Sequence, residues 1–370
     1  MKVLQIAVGV TASKVYYKLF SEFKKQNLSF AVYVPLHKNK NIKDISKDDF
    51  PYSFYSNRII KPYDKFLYIT KIRRMVKDIE LNLDLSEVSL IHAHSLFSDG
   101  AVAYELFKKY NIPYVIAVRN YDVNKYFRYA FHLRNYALQI MLNAKKIIFI
   151  SPSYQEYVTK KYVPNKFSEQ ILLKTKTIPN GVDNFWLNQK FAAKDINTQK
   201  LKLIFVGRID KNKNLKTVID VVELLRKKGF NTTLDVVGDG PLRESFEKEC
   251  SGNDYVNFHG AIYDKDKLRK MYYSNDILIV PSFAETFGLV YLEAMSCGVP
   301  VIFTKNQGFD GFFKEGTVGF AVNPHEPNNI IKAIEGIINN YKEISQCCYG
   351  SVKSFKWEDI SNEYMRIYLE

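Results

Sequence analysis

Short β-branched runs alternate with stretches of helical periodicity along this chain, and they do so twice over. KVLQIAV (2–8) precedes a helical pattern running to Gln26, SFAVYVP follows, LIHAHS leads into DGAVAYELFKKY, and YVIAV and KIIFIS come next. A second series opens with KLIFVGR (202–208) and passes through LKTVIDVVELLRKKG, TLDVVGDG, PLRESFEKEC, VNFHG, DKDKLRKMYYSN and DILIVPS. Runs of this kind with helices between them predict parallel strands joined by crossover helices. The expected fold is therefore α/β, with two Rossmann-like doubly wound domains facing a central cleft. The break falls at PNGVDNFWLNQKFAAKDINTQK (179–200), where Pro-Asn-Gly interrupts the pattern and a polar stretch follows. It places a first domain at 1–184 and a second at 185–354. In open parallel sheets ligands sit beyond the carboxyl ends of the strands, so the cleft is the expected active site.

Composition excludes several other classes. A chain of 370 residues with 26 Tyr and 26 Phe is too aromatic for disorder and long enough for two sizeable cores. No apolar run approaches the roughly 20 residues of a bilayer-spanning helix. No small-x-small cleavage site follows the apolar octet at the start, so a cytosolic N-terminus is expected. Cys250, Cys297, Cys347 and Cys348 lack metal-ligand spacing and are expected to be reduced and structural.

The net charge of +14 is unevenly placed: residues 1–185 carry 29 Lys+Arg against 15 Asp+Glu, whereas residues 186–370 carry 24 of each. Codon bias would load both halves alike. The excess concentrates in YDKFLYITKIRRMVKDI (63–79) and KYFRYAFHLRNYALQIMLNAKK (125–146). In the first, Phe66, Ile69, Ile72, Val76 and Ile79 fall at helical spacing among basic residues, which suits either an anionic membrane surface or an ordinary helix packed on a sheet. No helix-turn-helix, zinc-finger or RNP pattern accompanies the charge, so nucleic acid is not an expected partner.

The chemistry concentrates in PSFAETFGLVYLEAMSCGVPVI (281–302). Gly288 opens a helix whose unpaired N–H groups and positive dipole end form an anion site that a glycine lets a phosphate approach closely. Phe287, Gly288 and Leu289 are the expected phosphate-side residues. Glu293 lies about 7.5 Å further along the axis, the reach from a diphosphate to a ribose. Carboxylates beside a diphosphate need cations, and FVGRIDKNKN (205–214) supplies Arg208 and Lys213 after the turn at Gly207.

Glu285 to Glu293 is an E-x7-E pattern, and Gly207-Arg208 to Lys213 is G-R-x4-K; together they resemble the family 4 glycosyltransferases of GT-B fold. The resemblance extends to IHAHSLFSDG, ISPSYQEYV, IPNGVD, VGDGP, NDILIVPS and the terminal FKWEDISNEYMRIY. It implies a metal-independent, retaining transfer of a sugar from a nucleotide-diphosphate donor, a UDP-sugar before a GDP-sugar, with no further cofactor. Arg208 and Lys213 would hold the diphosphate, Glu293 the ribose, and Glu285 would lie near the donor sugar. The last helix, 355–370, would pack back on the first domain. His94 could touch donor sugar or acceptor, or be a satisfied core histidine, and Gly9 is placed near the donor phosphates. Where the family often has His-Gly-x-Asp, this chain has Arg119-Asn120-Tyr121-Asp122, so Arg119 could contact an anionic acceptor.

Asp264-Lys265-Asp266 spells a metal-binding D-x-D but precedes a helical pattern, where Asp is a good N-cap. Gly238-Asp239-Gly240 looks like half a dinucleotide fingerprint, yet position 243 is Arg, which favours a strand-ending turn. The leading reading is a glycosyltransferase at the cytosolic membrane face acting on a lipid-linked or polysaccharide acceptor, as in surface-glycan synthesis. A non-catalytic subunit that keeps the fold and a nucleotide-sugar epimerase are the alternatives.

Overall fold

The computed structural model describes residues 1–10, 14–37, 53–188, 196–197 and 199–370. Residues 11–13 of the first loop and 189–195 and 198 of the boundary stretch therefore lie outside the described residues. The chain divides into two compact units: Met1–Ile150, Tyr154–Asn180 and Trp357–Glu370 form one, and Ser151–Ser153 with Gly181–Lys356 form the other.

The first unit holds strands β1 (Lys2–Ile6), β2 (Ser29–Tyr33), β3 (Ser53–Tyr55), β4 (Val88–Ala93), β5 (Tyr114–Val118), β6 (Lys146–Phe149) and β7 (Thr175–Thr177). They pair in parallel in the order β3-β2-β1-β4-β5-β6-β7. All five residues of YVIAV in β5 are buried, the continuous apolar run expected of a strand covered on both faces. The helix Trp357–Leu369 completes this unit: Trp357, Ile360, Tyr364, Ile367 and Tyr368 enter one apolar cluster with Phe20, Phe23, Phe30 and Val32. Gln26 Nε2 donates to Ser361 Oγ at 2.7 Å and fixes the helix along its polar edge.

The second unit holds β8 (Lys200–Val206), β9 (Asn231–Val237), β10 (Val256–Gly260), β11 (Ile277–Ile279), β12 (Val301–Thr304) and β13 (Gly319–Val322), parallel in the order β10-β9-β8-β11-β12-β13. The helix Leu215–Lys227 buries Leu215, Val218, Ile219, Val222 and Leu225, a stripe at three- and four-residue spacing. All four cysteines are free; Cys250, Cys297 and Cys348 are buried.

The basic segments differ from the periodicity argument in detail. The helix begins at Tyr68 and runs to Asn82, burying Tyr68, Ile72, Met75 and Ile79. Phe66 precedes it and Ile69 faces outward, so the buried stripe is rotated from the expected Phe66-Ile69 edge. In the second segment a π-helical turn, Asp122–Phe127, and a 3₁₀ turn, Phe131–Leu133, come before the regular helix Arg134–Asn143. The turn positions a buried carboxylate: Asp122 accepts from the N–H groups of Leu96, Phe97 and Arg119 at 3.1, 3.0 and 2.9 Å.

Candidate functional site

In the second sheet β8 and β11 are neighbours although far apart in sequence, and this is the point where the winding reverses. The loops leaving their carboxyl ends meet there. The first carries Gly207, Arg208 and Lys213; the second carries Glu285, Phe287 and Gly288. Lys213 Nζ lies 2.6 Å from Glu285 Oε2, with side-chain exposures of 20% and 9%. Glu285 also accepts from Ser282 Oγ at 3.3 Å and from the Thr286 N–H at 3.0 Å.

Two asparagines outside the sequence-derived set hold these loops in register. Asn212 exchanges hydrogen bonds with Ala284, donating from Nδ2 to its carbonyl at 2.9 Å and accepting its N–H at 3.0 Å. Asn214, in left-handed conformation at the start of the helix Leu215–Lys227, donates from Nδ2 to the carbonyls of Pro281 and Pro324 at 3.2 and 2.8 Å. Asparagine tolerates that backbone region, and its side chain then bridges three loops. The only hint in the sequence is an Asn directly before a helical pattern, which reads equally well as an ordinary cap.

Gly288 stands immediately before the helix Leu289–Ser296 with φ of 79°, and an added Cβ would lie 2.2 Å from the Tyr291 ring. Tyr291 Oη in turn donates to the Val280 carbonyl at 2.7 Å, which ties the helix start to the strand end. A side chain at 288 would displace that tie as well as fill the space before the helix. Leu289 is the first residue of this helix. Phe287 behaves differently from its neighbours: its ring is buried among Phe309, Phe312 and Phe355, at centroid separations of 6.2, 5.8 and 6.0 Å. Only its backbone is available to a ligand, and its side chain anchors the loop.

Arg208 is 71% exposed and lies 3.4 Å from Asp210 Oδ2, a contact too open to restrain it. Glu293 is half-buried on the helix and accepts from Tyr272 Oη at 3.1 Å. Burial raises its pKa to about 7, against smaller opposing contributions from the Tyr272 hydrogen bond and from Lys265, which itself pairs with Asp183 at 3.0 Å. Because the folded value lies above the unfolded one, the stability tied to this proton is complete below the ordinary carboxylate range and is lost as pH rises through about 7. Glu293→Gln is therefore expected to flatten the stability profile over that window, as denaturant melts at stepped pH would show. If Glu293 accepts from ribose hydroxyls as a carboxylate, nucleoside-diphosphate affinity should also rise over the window in the parent chain and less in the variant. Calorimetric titration checks this, and equal pH profiles would remove Glu293 from the ribose role.

The first unit has its own reversal point between β1 and β4, and Gly9 and His94 lie on the loops there. An added Cβ at Gly9 would come 3.1 Å from Tyr16 Oη. His94 is fully buried; its Nε2 is 2.8 Å from Gln5 Oε1, and the Tyr16 and Phe20 rings meet it edge-on. Burial, then His92 and Arg119, holds its pKa well below the ordinary value, so the ring is neutral near pH 7. Its Nδ1 has no partner among the described residues. Arg119 points inward, its charge acting on Tyr16, Tyr364 and both histidines, and its hydrogen-bond partner is Tyr364. Burial also raises the carboxyl of Asp99, which accepts from the Val8 N–H at 3.2 Å, to about 7.

Both ambiguous motifs have structural uses. Asp264 Oδ1 accepts from the Lys267 N–H at 2.7 Å and caps the helix Lys265–Ser274, and Asp266 pairs with Arg269 at 2.6 Å. Among the described residues no group of three or more His, Cys, Asp or Glu is arranged to hold a metal ion. The Gly238-Asp239-Gly240 turn ends β9 against the neighbouring loop: a Cβ on Gly238 would lie 1.8 Å from the Gly207 carbonyl oxygen.

Two doubly wound units, the second with cations and a glycine-opened helix at its reversal point, form the architecture of the GT-B glycosyltransferases. The chain belongs to them: Glycosyltransferase Family 4 matches residues 12–184, and Glycosyl transferases group 1 matches residues 188–350. An uncharacterized glycosyltransferase of Methanocaldococcus jannaschii is 25% identical over 90% of this chain and 92% of its own. The lipopolysaccharide outer core galactosyltransferase WaaB shares the fold with a TM-score of 0.76 at 17% identity, over 100% of this chain and 99% of that one. HepE of Anabaena in complex with UDP-glucose gives 0.67 at 18%, over 99% and 98%. No helix among the described residues is long and apolar enough to cross a membrane.

Proposed function

We propose that this glycosyltransferase moves a sugar, with retention, from a UDP-sugar to a lipid-linked or polysaccharide acceptor at the cytosolic face of a membrane. The observation that carries the donor half is the meeting of Arg208, Lys213, Glu285 and Gly288 on two loops at one sheet reversal. In this reading the bond from the sugar's C1 to the diphosphate oxygen breaks and its electron pair leaves on that oxygen, while the acceptor's hydroxyl oxygen bonds to C1 on the same face and its proton passes to the departing diphosphate. Arg208, Lys213 and the N–H groups of the helix at Leu289 stabilise the departing charge. Glu293 accepts from the ribose hydroxyls. Glu285, held by Lys213, lies beside the donor sugar. Gly207 lets backbone approach the phosphates.

The UDP-glucose complex of HepE supports the choice of donor, and the similarity to WaaB, named for lipopolysaccharide, supports a lipid-borne acceptor. A thermal-shift screen across nucleotide sugars tests the donor, since a ligand that binds the folded state raises the melting temperature. UDP-sugars should give the largest rise together with slow release of UDP. No shift with any nucleotide sugar would overturn the reading. Because both aspartates of the D-x-D have structural partners, turnover should be unchanged in a chelator. Activity lost on chelation and restored by a divalent cation would return the metal-dependent mechanism.

A further inference from the structure

The two stretches that hold the first half's excess charge form one surface. Tyr68, at the start of its helix, meets the rings of Tyr126 and Tyr136 edge-on, at 6.4 and 6.3 Å. Its Oη donates to the Phe97 carbonyl, and Tyr126 stacks on the Phe97 ring at 4.7 Å. This buried aromatic joint brings the residues around Tyr68 next to those around Tyr126. On either side the large side chains face outward: Phe66 (77% exposed), Leu67 and Ile69 by the first, and Tyr121, Tyr129 and Phe131 (65%) by the second.

Cations lie over these rings. Lys125 and Arg128 sit 5.8 and 5.6 Å from the Tyr129 centroid, and Arg134 lies 4.4 Å from that of Phe131. The acids of the same stretches are turned inward. Asp64 is buried against Arg74 at 2.9 Å, and Asp122 is spent on backbone N–H groups. Residues 61–74 and 119–134 contain no other carboxylate; Asp78, further along the first stretch, accepts from Tyr33 Oη and Asn57 Nδ2 at 2.7 and 2.8 Å, and Glu105, beside the joint, accepts from Tyr136 Oη at 2.6 Å.

We infer that this surface docks on an anionic lipid bilayer, with Leu67, Tyr129 and Phe131 entering the interfacial layer and Lys125 and Arg128 meeting lipid phosphates, while Arg134, whose Nε and Nη2 donate to the Phe127 carbonyl at 2.8 and 2.6 Å, backs the Phe131 ring. Aromatic rings interleaved with long basic side chains match the headgroup boundary, where the ring is half in hydrocarbon and the cation in the anionic layer. A protein partner would favour a surface depleted of lysine at its centre. The inference deepens the proposed membrane-face acceptor, yet docking itself does not require the donor site.

Sedimentation with phosphatidylglycerol-containing vesicles tests it, with phosphatidylcholine vesicles as the reference. The parent chain should bind the anionic vesicles, less at high salt. Lys125→Gln/Arg128→Gln should weaken binding roughly thirtyfold, and Leu67→Ser/Tyr129→Ser/Phe131→Ser should abolish the part that survives salt. A Phe131→Trp reporter should shift its emission to the blue on binding. A parent chain that ignores anionic vesicles, or variants that bind as it does, would overturn the inference. So would a parent dimer in sedimentation equilibrium that the serine variant dissociates, because the surface would then meet a second copy. The UDP-sugar thermal shift, read on the same variants, should be unchanged. If that shift is absent while vesicle binding persists, the donor reading has failed and the docking surface has not.

Discussion

Lys213→Ala is expected to cost roughly ten- to a hundredfold in turnover, and also to destabilise the second unit. Two effects combine. The variant loses the charge-assisted contact proposed to the departing diphosphate, worth about 1.5–3 kcal/mol. It also leaves Glu285, with 9% of its side chain exposed, without its cation. Stranding one member of a buried pair costs about 3–5 kcal/mol; the lower end is expected here because Lys213 keeps 20% exposure. Arg208→Ala should behave differently. At 71% exposure the side chain supports little structure, so a tenfold or larger loss of donor affinity or rate should come with an unchanged urea midpoint. The double variant Lys213→Met/Glu285→Gln separates the two roles. It removes both charges and should recover stability, while turnover stays low. Full turnover in Lys213→Ala and Arg208→Ala together would sink the assignment of the donor site.

The second large effect is predicted far from the chemistry. Tyr364→Ala should destabilise the first unit by about 3–5 kcal/mol, the range for truncating a large aromatic in a core. Tyr364 is buried, meets Phe23 edge-on at 6.0 Å and lies against His92 at 5.3 Å. It is also the hydrogen-bond partner of Arg119, so truncation leaves a guanidinium without that acceptor. The chain's two tryptophans make the prediction unusually readable. Trp357 belongs to the cluster of the first unit, and Trp186 packs in the second, edge-on to Tyr272 at 5.7 Å. In a Trp186→Phe background the urea midpoint should fall sharply on adding Tyr364→Ala; in a Trp357→Phe background it should barely move. Equal shifts in both would mean that the units unfold as one.

Much of this architecture can be read from the sequence because parallel strands buried on both faces leave continuous β-branched runs, and crossover helices separate them. The residues proposed for the donor site can be named from the sequence for a related reason. Arg208, Lys213, Glu285, Gly288 and Glu293 lie within loops and a helix start defined by local pattern, and the reversal of strand order between β8 and β11 is what brings Lys213 against Glu285. What was not legible depends on partners remote in the chain. Phe287 looks like a member of the phosphate-side turn, but Phe309, Phe312 and Phe355 draw its ring inward. His94 and Arg119 take their surroundings from Gln5, Tyr16 and the distant Tyr364. The helix start at Tyr68 rather than Phe66 follows from the aromatic joint with Tyr126, which no helical periodicity could show.

The helix Trp357–Leu369 contributes its apolar face to a core whose other members come from the opening segments. During synthesis those early segments leave the ribosome with a hydrophobic seam still open, and they must wait while the whole of the intervening unit is translated. The nascent first unit is thus exposed to chaperones and to wrong partners until Trp357–Leu369 has emerged, whereas the unit encoded second can close as soon as its own residues emerge.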